Sequence, residues 1–491
     1  MKKLTTYGLI PALCFLGGFR DCNAGQVPHD ADSPDIPVSS HDRVYTGDQS
    51  SNTVSIYDPS SNRLLGVLRL GDVTPQNLSP LYRGQLLVHG LGFSFDHKTL
   101  AIVSIGSNSV TFLDTATNDI KHVTYVGRSP HEAFFTPDGS ELWVTVRGED
   151  YVSVIDSATY KEKERIQVGN GPGMTIFGPD GKYGFVCSSF IPETKVVDVK
   201  THKIIATVVQ ASPFSPNIAA SPDGKQIWFT LKDIGKAQVF RAEPPFDVIA
   251  TLETGPITNH VNIVRNKNGQ FAYITVGGEN VVKVYTTTDK PELVATIPTG
   301  ELPHGIWPSG DGTHVYVALE NGTGMNVIDT LTNKVEARIS GGQSSQALVY
   351  VPNAVPSGDG LSHIEPLAES GLAAHLLLAP PGASAKGAPT TVTLNNQGLI
   401  DLLQAAVTGL KPKSKYRLGL MSKNEEPYGS IEPLTEFQTN PAGAAIVNTL
   451  GPLRQFVAGP ANPDDRRYLA IVPLEKAGSG KPVQIQLSAS P

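Results

Sequence analysis

Cysteine is nearly missing from this chain. It has three in 491 residues, Cys14, Cys22 and Cys187. The first two fall within the N-terminal 24 residues, so the rest of the chain holds one thiol. That excludes an internal disulfide framework and leaves Cys187, in "YGFVCSS", as a buried structural thiol. Strong charge of either sign is missing too. A formal net charge of −7 over this length argues against a nucleic-acid partner. Past the N-terminus no run is apolar enough to span a membrane. The familiar catalytic motifs are also missing: no Gly-x-Ser-x-Gly elbow, no Walker loop, no His-Glu-x-x-His and no paired-Cys motif. "HEAFF" at His131 begins like the zinc-protease motif but lacks its second histidine.

Turn residues are plentiful. Gly (48) and Pro (38) favour many turns and hence β structure. At the N-terminus, Lys2 and Lys3 precede the short apolar stretch "YGLIPALCFLGGF", and "CNA" follows at Cys22–Ala24. This pattern predicts a signal peptide over 1–24, and so export to a periplasmic or extracellular space, with 25–41 as a tail. Leu13 before Cys14 and Asp21 before Cys22 argue against lipid attachment there.

Strand-like segments ending in Asp recur along the chain: "VSIYD" to Asp58, "VTFLD" to Asp114, "VSVID" to Asp156, "KVVDV" with Asp198 and "MNVID" to Asp329. Asp114 to Asp156 is 42 residues, and Asp156 to Asp198 is again 42. That period is the size of one four-stranded propeller blade. Asp-Gly or Asn-Gly closes the first hairpin at Asp138–Gly139, Asp180–Gly181, Asp223–Gly224, Asn268–Gly269 and Asp311–Gly312. The chain begins its array with "RVYTG", the second strand of a unit. The missing first strand is supplied by "SQALVYVPN", Ser345 to Asn353, which aligns with "PHEAFFTPD", Pro130 to Asp138. Seven blades result over 42–354, closed by this terminal strand.

"LWVTVRG", "AYITVGG" and "VYVALEN", followed by "VSVID", "VKVYT" and "MNVID", resemble the YVTN-repeat family of seven-bladed propellers. The resemblance covers 42–354 and implies an architecture more firmly than a function. After a Gly/Pro/Ser-rich linker at 355–370 the period stops. Residues 371–491 read as short strands. "TGLKPKSKYRLGL", with Leu410, Pro412 and Tyr416, resembles the fibronectin type III pattern, which implies a small β-sandwich with a tyrosine corner. "NQGLIDLLQAAVTG" fits a helix as an alternative. The expected fold class is therefore all-β: a seven-bladed β-propeller, then a small β-sandwich.

The candidate site comes from equivalent positions around the ring. Counting seven residues back from each turn Asp gives, from blade one to blade seven, Gln346, His89, His131, Gly173, Pro216, Val261 and His304. Blades seven, one, two and three are neighbours, so His304, Gln346, His89 and His131 form one arc at the mouth of the central channel. The plain reading is that these residues cap the first strands and bond neighbouring blades. The sharper reading is a ligand site, with His89, His131 and His304 as metal ligands for an ion such as copper or zinc. Some propeller nitrite and nitrous oxide reductases carry axial histidine sites, which the resemblance makes relevant. Asp58 to Asp114 spans 56 residues, about fourteen more than the repeat needs. The excess offers Tyr82 and Arg83 beside the arc. His29, His41, His97, His122, His202, His314, His363 and His375 read as solvated.

Two function classes follow. One is a non-enzymatic exported binding or scaffold protein that holds a protein or small-molecule ligand at the histidine-rich mouth. The other is a metal- or haem-dependent periplasmic oxidoreductase or lyase using the same residues. The missing catalytic motifs favour the first. A propeller lactonase would want carboxylates at the axis, and the ring positions contain none.

Overall fold

The computed structural model describes residues 36–73, 77, 79, 81–367, 373–385, 388–460, 462–475 and 481–487. The proposed signal peptide, with Cys14 and Cys22, and His29 of the tail lie outside them. Residues 43–351 form seven four-stranded antiparallel sheets. Their innermost strands begin at Ser345, Val88, Pro130, Pro172, Ile218, Thr258 and Pro303, for blades one to seven. In blade three, Pro130–Phe135 and Glu141–Val146 are buried throughout, whereas the outermost strand Glu162–Gln167 is mostly exposed. The sequence shows why. "FF" and "LWVTV" carry apolar side chains on both faces, as a strand sandwiched between adjacent sheets requires, while "EKERIQ" keeps one apolar residue facing inward. Trp143, Trp228, Tyr45 and Tyr273 are fully buried in these layers.

The ring closes as the sequence predicts. Ser345–Val351 pairs antiparallel with Arg43–Asp48, with Val349 opposite Tyr45 and Leu348 opposite Thr46. Cys187 is buried and free, and burial pushes its thiol up to about 11.

The C-terminal region is also β. Eight strands form one antiparallel sheet, in the order Glu432–Gln438, Lys415–Met421, Tyr468–Pro473, Gln484–Gln486, Ala374–Ala379, Thr390–Asn396, Asp401–Val407, Ala445–Gly451. The sheet curls barrel-like round a core containing Leu378, Leu394, Leu403, Leu418 and Ile471. All eight strands are hydrogen-bonded in one sheet, not split into the two of a fibronectin type III domain. Alternating apolar residues look the same in both architectures, so strand patterning does not separate them. The segment that also fits a helix is the strand Asp401–Val407, paired on both sides. The Tyr416 hydroxyl accepts from the Lys411 N–H at 3.2 Å, reversing the donor role that a tyrosine corner implies.

The segment after the propeller is a linker by composition, but the propeller holds it. Val67 and Glu365 exchange backbone hydrogen bonds at 2.8 Å in both directions. Asn118 donates to the carbonyls of Gly360 and Ser362, and Arg43 to that of Asp359. The barrel rests on the ends of blades six, seven and one where the inner strands begin. Asn321 donates to the Thr391 carbonyl at 3.2 Å and accepts from Thr393 at 2.8 Å. Asn395 donates to Ser344, and Gln397 to the carbonyl of Ser50. Ile257, Leu302, Ala406 and Ala444 form an apolar contact between the two parts.

Candidate functional site

A β-bulge builds the channel mouth. In blade two, Val88 pairs with Ser104 and then Leu91 with Ile102. Blade three repeats this at Pro130/Ala133, blade six at Thr258/Val261 and blade seven at Pro303/Ile306. Each bulge leaves two inner-strand residues unpaired, which re-aims their side chains. The unpaired residues are His89–Gly90, His131–Glu132, Asn259–His260 and His304–Gly305. Asn259, not Val261, is therefore the blade-six equivalent of the three histidines. In blade six the hairpin pairing runs out to Asn266 and Gly269, so its turn lies two residues further from the bulge. Counting seven back from the turn therefore stops two residues short. The small second residue matters in blade two, where a Cβ at Gly90 would stand 2.3 Å from the His131 carbonyl oxygen.

His89, His131, His304 and Gln346 are all buried at this one end of the channel. His131 Nδ1 lies 2.8 Å from the Gly173 carbonyl, and His304 Nδ1 lies 2.8 Å from that of Gln346. A carbonyl only accepts, so both Nδ1 atoms carry the proton and both neutral rings present a bare Nε2. His89 Nδ1 sits 2.9 Å from Gln49 Oε1, and His89 Nε2 sits 3.0 Å from His131 Nε2. Gln346 contributes its carbonyl, between blades seven and two. The strand-capping role and the inward-facing Nε2 are thus two ends of the same rings.

His304 stands apart from the close pair. Its ring centroid is 6.3 Å from that of His89 but 4.4 Å from that of His260. Its Nε2 is 3.7 Å from Glu320 Oε2. Among the described residues, the group whose ligand atoms lie within 4.8 Å of one another is His89, His131 and Glu132, not the three histidines together. The insertion residues are further out. Tyr82 takes the Asp72 N–H on its hydroxyl and so closes its own loop, and Arg83 is exposed.

Charge is arranged asymmetrically. Burial holds His89, His131 and His304 well below the usual histidine range, with Arg147 adding to the effect on the first two and His260 on the third. Burial takes His260 down to about 3. Burial raises Glu132 to about 8, so at neutral pH it is largely protonated. The Arg147 guanidinium stands over the rings of Phe190 and Phe214, 5.9 and 5.3 Å from their centroids. Burial lowers Lys232, and Glu320 partly offsets this. Below the mouth lies a small cavity of ≈ 20 Å³, and Glu132, Asn217, His260 and Trp307 are among the residues lining it.

Glu132, His260, Glu320 and Lys232 were not among the candidates drawn from the sequence. Glu132 was visible as the neighbour of His131, but only the bulge turns both side chains of a consecutive pair toward one site. The ring positions hold no carboxylate, yet Glu132 and Glu320 bring two close to them. Two histidines expected in solvent are half-buried: His202 bonds Glu141 and Glu164 at 3.0 and 2.8 Å, and burial lowers His97, whereas His375 is exposed.

The fold and site define a seven-bladed β-propeller with a polar, imidazole-lined mouth. The family model described as "Lactonase, 7-bladed beta-propeller" matches residues 108–335, less than half of the chain. Among solved structures, the chain is similar to Kuenenia stuttgartiensis Hydrazine Synthase, with 19% identity over 56% of this chain and 94% of that one and a TM-score of 0.48. It is also similar to a functionally unknown protein from Desulfotomaculum acetoxidans DSM 771. There the identity is 12%, over 62% of this chain and 98% of that one, with a TM-score of 0.54. This second likeness is one of fold. No curated protein matches the sequence. Among the described residues no helix is long and apolar enough to cross a membrane.

Proposed function

We propose that this is an exported β-propeller binding protein whose ligand site is the imidazole-lined channel mouth. One observation carries the reading. His260 Nε2 and Glu320 Oε2 are buried without a hydrogen-bond partner among the described residues. Each such atom costs on the order of 1–3 kcal/mol, so a rigid mouth that keeps both is completed by a guest. Arg147 and Lys232 beside neutral imidazoles favour a guest bearing negative charge. The export half of the reading rests on Lys2, Lys3 and the apolar stretch that follows them. A second reading, a metal- or haem-dependent oxidoreductase or lyase on the same residues, is favoured by the His89–His131 pair.

The test is intact mass measurement of the full chain purified gently from its native compartment. A guest mass is expected that is lost in His131→Ala and kept in His202→Ala. A guest-free protein whose melting temperature is unmoved by Zn(II), Cu(II), phosphate and acetate overturns the proposal.

A further inference from the structure

We infer that the channel mouth seats one divalent transition-metal ion, of the zinc or copper class, held by His89 Nε2, His131 Nε2 and the Glu132 carboxylate. This rests on the proposed ligand site and names what that site holds first.

Proton accounting carries the inference. The Gly173 carbonyl fixes the His131 proton on Nδ1. With Gln49 Oε1 accepting, the His89 proton is on Nδ1 as well. Two lone pairs then face each other across 3.0 Å. They repel unless something positive lies between them. A metal ion resolves the conflict. Tetrahedral ligation at about 2.0–2.1 Å puts two nitrogens roughly 3.3 Å apart, so the pair need open only by a few tenths of an ångström.

The surroundings fit a metal centre in two further ways. Both rings already have their Nδ1 atoms anchored on oxygen acceptors, which is how metal-bound imidazoles are oriented. Glu132 supplies a third donor, with a carboxylate oxygen within 4.8 Å of a ligand nitrogen on each ring. Two imidazoles and one carboxylate suit zinc, copper or ferrous iron, not calcium or magnesium, which take oxygen ligands. Three protein ligands also leave a coordination position for the anionic guest that Arg147 and Lys232 favour.

The competing arrangement reverses the Gln49 amide. Its NH₂ would then donate to His89 Nδ1, and His89 Nε2–H to His131 Nε2, making a neutral hydrogen-bonded chain with no ion.

The test uses the full chain stripped with chelator, dialysed, and titrated calorimetrically with Zn(II), Cu(II) and Mg(II). One Zn(II) or Cu(II) per chain is expected, with no Mg(II) uptake. Glu132→Gln, close in shape and so expected to fold, should lower affinity at least tenfold, and His131→Ala should abolish stoichiometric uptake. X-ray absorption of the loaded protein should show two imidazoles in the first shell. A folded wild type that takes up no transition ion overturns the inference. If its guest is still lost in His131→Ala, the ligand-site reading survives alone. Unchanged affinity in Glu132→Gln with loss in His304→Ala overturns the ligand assignment in favour of the three histidines.

Discussion

Ser345 donates its hydroxyl to the Asp48 carboxylate at 2.7 Å, joining residues 297 apart in sequence across the seam of the ring. Ser55, Thr46 and Thr53 donate to the same carboxylate at 2.6, 2.8 and 3.2 Å. Burial outweighs these four bonds and raises Asp48 from 3.8 to about 6. A raised carboxyl pKa means that the folded state binds the proton more tightly than the unfolded one. Its effect on stability is most favourable below pH 3.8, declines up to about pH 6, then levels off. Asp48→Asn should remove that decline and gain roughly 3 kcal/mol relative to wild type between pH 4 and 7. Urea unfolding of both proteins at several pH values checks this. A difference between them that does not vary with pH would show that Asp48 does not titrate in that range.

His304 ties blade seven to blade one through the Gln346 carbonyl. His304→Ala leaves that buried carbonyl without this donor and opens a small void, so it should destabilise the ring by about 1–3 kcal/mol. His304→Asn, which keeps a donor, should recover part of the loss. Denaturant midpoints measure both.

The strap after the propeller should resist proteases despite its Gly, Pro and Ser content, because Glu365 is backbone-paired with Val67. Glu365→Pro removes the N–H that Val67 accepts and should expose 359–365 to cleavage. Equal cleavage of wild type and variant would refute the pairing.

Gln404 of the barrel donates to the Glu320 carboxylate at the mouth, and Asn321 beside it is bonded twice to the barrel. Asn321→Ala should speed amide exchange at Leu302 and Glu320, whose backbones are themselves paired, with little effect on the far ends of the blades. Exchange mass spectrometry gives the answer residue by residue.

Blade number, ring closure and the position of the histidine arc were legible because they rest on a repeat: a 42-residue period, turn dipeptides, and one orphan strand at the C-terminal end of the array. His89, His131 and His304 share a register that counting recovers. His260 and Glu132 were not legible. Their placement depends on a bulge and on a hairpin two residues longer in blade six, and neither leaves a mark in composition. Glu320 was hidden for another reason: it reaches the site from the loop after the second strand of blade seven. The shape of the second domain escaped because alternation fixes which residues turn inward, not whether a sheet closes on itself.

The barrel binds the ring on blades six, seven and one, while Phe190, Phe214, Arg147 and Lys232 stand on the opposite side of the mouth. Phe190 remains half exposed there, under the Arg147 guanidinium. The mouth therefore has a walled side and an open, cationic side. On the proposed ligand-site reading, entry would be directional: an anion would gain speed on its way in from the attraction of two desolvated cations, and that gain would fade as salt screens them. On that reading the second domain bears on how fast guests arrive and leave, and not only on how tightly they are held.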